Sequence, residues 1–229
     1  MTAELIDGII KAFQLLLSFD PQVYSIVFRS LYVSGLATAM AIVWSIPIAV
    51  ILAMKKFRGK RFVKASFNAF LGMPTVVLGL ILFLLIKRQG PFGLFGLLYT
   101  PLAMSIGQAI LMTPIIVSFT TTAIESIDLD IRDLARTLGS TEFQASAAIL
   151  REAFWGVALA VIAGFNRGFA ELGVAMMLGG NAPGRTRVLT TAIALEVNKA
   201  EISFSLALGF ILVLIVFVVS LILNYLRRR

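Results

Sequence analysis

GGNAPGRT, residues 179–186, places four residues between Gly179 and Gly184 and follows them with Arg185 and Thr186. The spacing is close to the G-x-x-x-x-G-K-[ST] pattern of loops that cradle nucleotide phosphates. Such a loop joins a buried strand to a helix, and its lysine reaches the phosphates. Here the preceding residues, GVAMMLGG, close a long apolar run, and Arg185 stands in the lysine position. No strand-ending acid suited to holding Mg²⁺ appears elsewhere. The stretch therefore reads as a glycine–proline turn leaving a membrane-crossing segment, and the chain is not expected to hydrolyse ATP. The fold then depends on the apolar runs around that turn.

Of 229 residues, 59% are hydrophobic and 14% charged. A soluble domain of this length lacks the interior to hide so much apolar surface, whereas a polytopic membrane protein hides it in lipid. Histidine and cysteine are both absent. That excludes disulfides, imidazole or thiolate metal sites, and catalysis by either residue, so no metal centre is expected. The net charge of +8 comes from bases clustered between apolar runs, the placement of the positive-inside rule rather than of a nucleic-acid binder. The start, MTAELIDGIIKAFQLLLSFD, has early acids and neither a basic opening nor a small-residue cleavage site, so it reads as no signal peptide.

A hydrocarbon core of about 30 Å requires about 20 apolar residues in a helix. Five segments qualify, at approximately 23–54, 62–86, 94–124, 153–178 and 202–226. They predict an all-α, polytopic helical protein with a single transmembrane domain over 23–226 and a basic tail, 227–229. Within residues 1–22, positions 4–19 have apolar residues at helical spacing with Glu4, Asp7 and Lys11 interspersed, the pattern of an external helix lying on the membrane surface. An additional span is the alternative.

The loop KKFRGKRFVK (residues 55–64), the bases Arg132, Arg136 and Arg151, and the tail Arg227–Arg229 hold 12 of the 20 bases. With five crossings all lie on one side, the cytoplasmic one, leaving the N-terminus outside and the C-terminus inside. Pro47, Pro74, Pro101 and Pro114 fall within the expected spans and are expected to kink them. Ala37, Ala41, Ser45, Ala49 and Ala53 form a small-residue stripe, as do Ala160, Gly164 and Gly168. Such stripes bring helix backbones close together.

Between the third and fourth spans stands ESIDLDIRDLARTLGSTEFQASAAILREAFWG. Ile131, Leu134, Ala135 and Leu138 share one helix face, Gly139 follows as a helix-closing residue, and Thr141 with Gln144 forms a capping box for a second helix. The segment resembles the cytoplasmic loop of ABC importer membrane subunits: E-A-A, three residues, Gly, nine residues, I-x-L-P. Here it reads Asp133-Leu134-Ala135, then Gly139 and Ile149, with Arg151 and Glu152 replacing Leu-Pro. The resemblance implies a type I ABC importer permease fold. It also implies that this hairpin (approximately 125–152) is a coupling helix docking on an ATPase subunit through Asp133, Leu134, Ala135, Arg136, Gly139, Ser140, Ile149 and Glu152.

In GFNRGFAELGVAMMLGGN, Asn166, Arg167 and Glu171 interrupt the fourth apolar run, with Arg167 and Glu171 four apart. An ionisable group at membrane depth costs at least about 2.5–3.5 kcal/mol unless paired or wetted. Two readings stay open: an ion pair bracing the bundle, or a pair lining a water-filled path. Within one helix, Arg-before-Glu is the weaker order, which argues against pure bracing. An arginine suits oxyanions because its planar fork keeps its charge and donates several hydrogen bonds. The run Phe165, Arg167, Glu171, Gly173 and Gly179-Gly180-Asn181 resembles permeases for molybdate, tungstate and sulfate. TRVLTTAIALEVNKAE (186–201), MPTVVLG (73–79) and FRGK (57–60) are similar to the tungstate branch.

This resemblance implies a homodimer around one path for tungstate, with Arg167, Glu171 and Asn166 along it and Thr113, Thr120, Thr190 and Thr191 as further candidates. The implied partners are a second copy of the chain, two ATPase subunits, an external substrate-binding protein and membrane lipid, with no nucleic acid. ATP and Mg²⁺ belong to the ATPase and no cofactor to this chain. Molybdate or sulfate transport is the alternative within the family. A membrane enzyme using Glu171, or a scaffold, is the alternative outside it.

Overall fold

The computed structural model describes residues 2–127 and 141–227, and every regular element among them is helical. After α1 (Thr2–Leu17), Asp20 Oδ1 accepts the backbone N–H groups of Gln22 and Val23, each at 2.9 Å. With Pro21 in the first helical position, this starts α2 (Pro21–Met54), 34 residues long. An aspartate cap and a proline whose N–H would be unpaired anyway are both favoured at a helix start. At 1.5 Å per residue α2 spans about 50 Å, so its two ends lie at opposite ends of the molecule.

The second expected span divides into α3 (Lys60–Ala69) and α4 (Thr75–Ile86), bent from one another by 101°. Pro74 explains the break. It disfavours helical geometry at Met73 and offers no backbone donor, and both residues are extended, with ψ of 128° and 113°. The expected kink is a complete turn. Pro101 behaves differently: Thr100 Oγ1 accepts Ala103 N–H at 3.2 Å, so Thr100 and Pro101 begin α5 (Pro101–Glu125). The third apolar helix thus starts at Pro101 rather than Leu94, and that proline bends nothing. Pro47 and Pro114 do lie inside their helices.

Residues Asp133 through Ser140 of the expected coupling segment lie outside the described residues. Beyond them the Thr141–Gln144 capping box forms as expected: Thr141 N–H donates to Gln144 Oε1 at 2.8 Å and Thr141 Oγ1 accepts Gln144 N–H at 3.3 Å. It opens α6 (Glu142–Glu152), which meets α7 (Phe154–Phe169) at a bend of 73°. Then follow α8 (Gly173–Gly179), α9 (Leu189–Asn198) and α10 (Ile202–Arg227). Among the described residues only α2, α5 and α10 are individually long and apolar enough to cross a membrane; counting each bent pair as one crossing brings the number to five.

α2 and α5 run side by side in the same direction. Val33 O accepts from Ser105 Oγ at 2.9 Å, Ser34 Oγ donates to Gln108 Oε1 at 3.0 Å, and Trp44 Nε1 donates to Thr113 Oγ1 at 2.7 Å. Parallel neighbours need a return crossing between them, which α3 and α4 supply. The small-residue stripe makes the approach possible: Ala37, Ala41, Ser45 and Ala49 are fully buried. The second stripe, on α7, also packs on α5, against Met112 and Ile116, which share a cluster with Ala37 and Ala41 of α2. A Cβ at Gly164 would lie 2.8 Å from Ile116 Cγ1, and one at Gly168 would overlap Met112 Cε. α1 lies lengthwise beside α10, with Gly8 against Leu206 and Lys11 Nζ 5.7 Å above the Phe204 ring. Ala12 is buried in this contact, while Leu5, Ile6, Ile10, Phe13 and Leu17 remain exposed.

One end of the bundle gathers the charged connections. Lys64 Nζ lies 2.6 Å and Lys60 Nζ 3.5 Å from the Glu125 carboxylate, tying the start of α3 to the end of α5. Nearby, Ile149, Ile124, Ala153 and Val157 form a buried cluster that takes in Val50 and Met54 of α2.

Candidate functional site

GFNRGFAELG is where the bundle departs from a packed apolar core. α7 ends at Phe169, Glu171 N–H bonds back to Gly168 O at 3.1 Å, and α8 restarts at Gly173. Arg167 therefore stands in the last turn of one helix and Glu171 just before the first turn of the next. Each charge suits its place, a cation at a helix C-terminus and an anion at an N-terminus. Arg167 Nη1 donates to Glu171 Oε2 at 2.7 Å, while Glu171 Oε1 accepts the Val174 N–H at 3.0 Å. The unfavourable Arg-before-Glu order expected within one helix does not apply, because the helix breaks between the two residues.

The pair is unequally placed. The Glu171 side chain is 3% exposed and that of Arg167 is 36% exposed. A buried carboxylate with two donors is fully engaged, leaving the guanidinium as the accessible member. Thr190 Oγ1 donates to Glu171 O at 2.8 Å, tying the break to the start of α9. Met73, at the α3–α4 break, and Val174 of α8 belong to the same packed region. Two helix breaks thus lie close together in the bundle.

The other expected residues divide. Asn166 is not joined to the pair: its Nδ2 donates to Ser220 Oγ on α10 at 3.0 Å, and its Oδ1 is buried without a partner. Thr113 is committed to Ala109 O and Trp44, and Thr191 to Val188. Thr120 is fully buried, and its hydroxyl has no partner. Ile149 is 3% exposed and turned into the bundle, so it anchors α6 there, whereas Glu152 is exposed. A cleft of about 820 Å³ opens beside α6, lined by Pro47, Val50, Met54, Ala147 and Leu150.

GGNAPGRT is the tight turn its sequence suggests. Gly180, Asn181 and Gly184 adopt positive φ of 66°, 53° and 72°. Thr186 is fully buried; its hydroxyl donates to Gly179 O at 2.5 Å and accepts Ala182 N–H at 2.9 Å. The Gly180, Ala182, Arg185 and Thr186 N–H groups are used internally, and a helix rather than a strand precedes the loop. Thr186→Ala leaves both backbone groups unpaired and is expected to lower stability by about 1–3 kcal/mol. The thermal midpoint of the purified protein reports this, and Thr186→Ser is expected to restore most of the loss.

Among the described residues no group of three or more acidic, histidine or cysteine side chains is placed to hold a metal. The arrangement offers one accessible guanidinium, fixed by a buried acid at a helix break, inside an apolar helical bundle.

Comparison with known proteins agrees with this description. A family model described as binding-protein-dependent transport system inner membrane component matches residues 45–229. The chain is 36% identical over 223 residues to the tungstate uptake system permease protein of Peptoclostridium acidaminophilum, covering 97% of this chain and 98% of that one. It is 38% identical over 197 residues to a probable anion ABC transporter permease protein of Haloferax volcanii, covering 84% and 85%. Among solved structures, a chain of the inward-facing MetNI methionine ABC transporter superimposes with a TM-score of 0.72 at 17% identity, covering 90% of this chain and 95% of that one, a likeness of fold. The chain belongs to the family of binding-protein-dependent transport system inner membrane components, the permease subunits of ABC importers.

Proposed function

We propose that two copies of this chain enclose a single path for a tetrahedral oxyanion, and that the anion is tungstate. The observation that carries the path is the Arg167–Glu171 pair: a half-exposed cation held at 2.7 Å by a buried acid, at a helix break. A brace alone is served best by burying both members. Leaving the guanidinium accessible gives a dianion a partner that keeps its charge and presents a planar set of donors. The relative named for tungstate uptake, 36% identical over nearly the whole chain, supports the choice of anion.

In this reading α2, α3–α4, α5, α7–α8 and α10 make five crossings of one transmembrane domain, residues 23–226. The N-terminus is outside, and the basic end with Lys55–Lys64 is in the cytoplasm. One such set forms half a wall, so the path lies on the two-fold axis of a homodimer. An external binding protein delivers the anion. Two ATPase subunits, which hold ATP and Mg²⁺, dock on the coupling hairpins through Asp133, Leu134, Ala135, Arg136, Gly139, Ser140 and Glu152. Ile149 fixes each hairpin to the bundle. ATP draws the ATPase pair and the hairpins together and opens the dimer outward; hydrolysis resets it. This chain carries no cofactor.

The anion enters as a dianion and meets one Arg167 from each copy. Each guanidinium leaves Glu171 in part and closes on the anion's oxygens, so a charge-assisted bond is exchanged rather than lost. Once the anion passes, Glu171 reclaims Arg167 and the empty path is closed by an ion pair. Glu171 itself stays fixed by Val174 N–H.

The test is reconstitution of the chain with its ATPase and external binding protein in vesicles. ATP-dependent accumulation of labelled tungstate is expected, competed better by molybdate than by sulfate. No accumulation of any of the three anions would contradict the proposal.

A further inference from the structure

We infer that the end of the molecule opposite Lys55–Lys64 carries a second oxyanion-binding site, built by Arg29 of α2 and Arg187 just ahead of α9. Arg29 Nη1 donates to the backbone carbonyl of Arg187 at 2.9 Å, and its Nη2 donates to Ser25 Oγ at 2.9 Å. These bonds hold one guanidinium beside a second base, and the two charges repel each other. Both residues line an open cup of about 390 Å³ with Pro21, Ser25, Pro183 and Gly184.

Among the described residues neither arginine pairs with a carboxylate. Asp20, ahead of α2, has its Oδ1 committed to the Gln22 and Val23 N–H groups, and Glu196 of α9 pairs with Lys199. Arg187 Nε is buried and has no hydrogen-bond partner. An unpaired buried donor costs about 1–3 kcal/mol, more when charged, and structures seldom retain one without a reason. The walls keep the space open: Pro183 has no N–H, and Gly184, at φ 72°, has nothing within 4 Å of a Cβ built on it.

The missing partner is an acceptor without donors, negatively charged, able to reach two bases at once. A tetrahedral oxyanion has oxygens in every direction and meets that description, and Arg29 and Arg187 both line the space it would fill. The site also connects to the pair already described. Leu189 N–H donates to Ser30 Oγ at 2.8 Å, and Thr190 Oγ1 to Glu171 O at 2.8 Å. The few residues after Arg187 thus fasten the cup to the break that holds Arg167. The cup takes the anion before Arg167 does, an order that rests on the oxyanion reading above.

The experiment uses the permease–ATPase complex in bilayers of phosphatidylcholine alone, without the external binding protein, and measures equilibrium binding of labelled tungstate. Wild type is expected to bind. Arg187→Gln is expected to weaken binding about tenfold or more, the loss of a charge-assisted bond. Arg187→Lys recovers part of it. Thermal midpoints of all variants identify any that fail to fold, and Arg29→Gln serves as the second variant. Binding unchanged in both Arg187→Gln and Arg29→Gln overturns the inference; if such variants still import tungstate with the binding protein present, the proposed function stands regardless. Binding that obeys the inference in a complex that imports nothing separates the two the other way. Tungstate binding absent in phosphatidylcholine, with the cup instead occupied by phosphatidylglycerol in mixed bilayers, assigns it to a lipid phosphate and also overturns the inference.

Discussion

Glu171→Ala is expected to lower the stability of the permease by roughly 2–3 kcal/mol and to abolish uptake. Removing one member of a buried pair costs about 3–5 kcal/mol, but Arg167 is 36% exposed and regains part of that from water. The same change removes the acceptor of the Val174 N–H, a helix cap worth about 1 kcal/mol in its own right. Glu171→Gln keeps an acceptor in place for both donors and is expected to lose less stability. The thermal midpoint of the detergent-purified complex measures the difference. A midpoint unchanged in Glu171→Ala would mean that the carboxylate holds neither Arg167 nor the start of α8.

The second large effect concerns packing. Gly164→Val is expected to destabilise the bundle by about 1–3 kcal/mol or more, because the α7 backbone lies directly on α5. The first added carbon already meets Ile116 at 2.8 Å, and Ile116 is itself fully buried with no room to turn. The two helices must separate, which carries the break at Ala170–Leu172 with them and disturbs Arg167. Gly35→Ala is the control: its Cβ would meet nothing within 4 Å. In a helix interior that change is expected to be neutral or slightly stabilising. Equal yields and midpoints for Gly164→Val and Gly35→Ala would remove the close approach from the account.

How far the sequence could be read depended on whether a signal was local. Asp20-Pro21, Thr100-Pro101 and Thr141–Gln144 are short-range instructions. The Thr141–Gln144 capping box forms as its residues dictate, whereas Thr100 caps the helix that Pro101 opens, so that proline makes no kink. The small-residue stripes pointed to close packing but not to the partner, and both converge on α5. The breaks at Pro74 and Ala170–Leu172 were harder. Long apolar runs flank each break, so a window sees one span where the backbone makes two helices. Arg167 and Glu171 are legible as charges in an apolar run, but their order carries no weight, because the helix ends between them. α9 is short and carries two threonines in its first turn, and its start is held by contacts from elsewhere, including Ser30. Arg29 and Arg187 escaped for a plainer reason. They are 158 residues apart, and each alone is one more scattered base.

The central claim is that an accessible cation at a helix break meets the transported anion. Arg167→Met tests it most directly, since methionine keeps the apolar stem and removes the charge. In vesicles containing the complete importer, with folded protein matched between samples, the account predicts that ATP-driven tungstate uptake falls by at least about tenfold, the worth of one charge-assisted hydrogen bond. Arg167→Lys is expected to retain a measurable fraction. Uptake by Arg167→Met at the wild-type rate would leave the Arg167–Glu171 pair as a structural brace and contradict the claim.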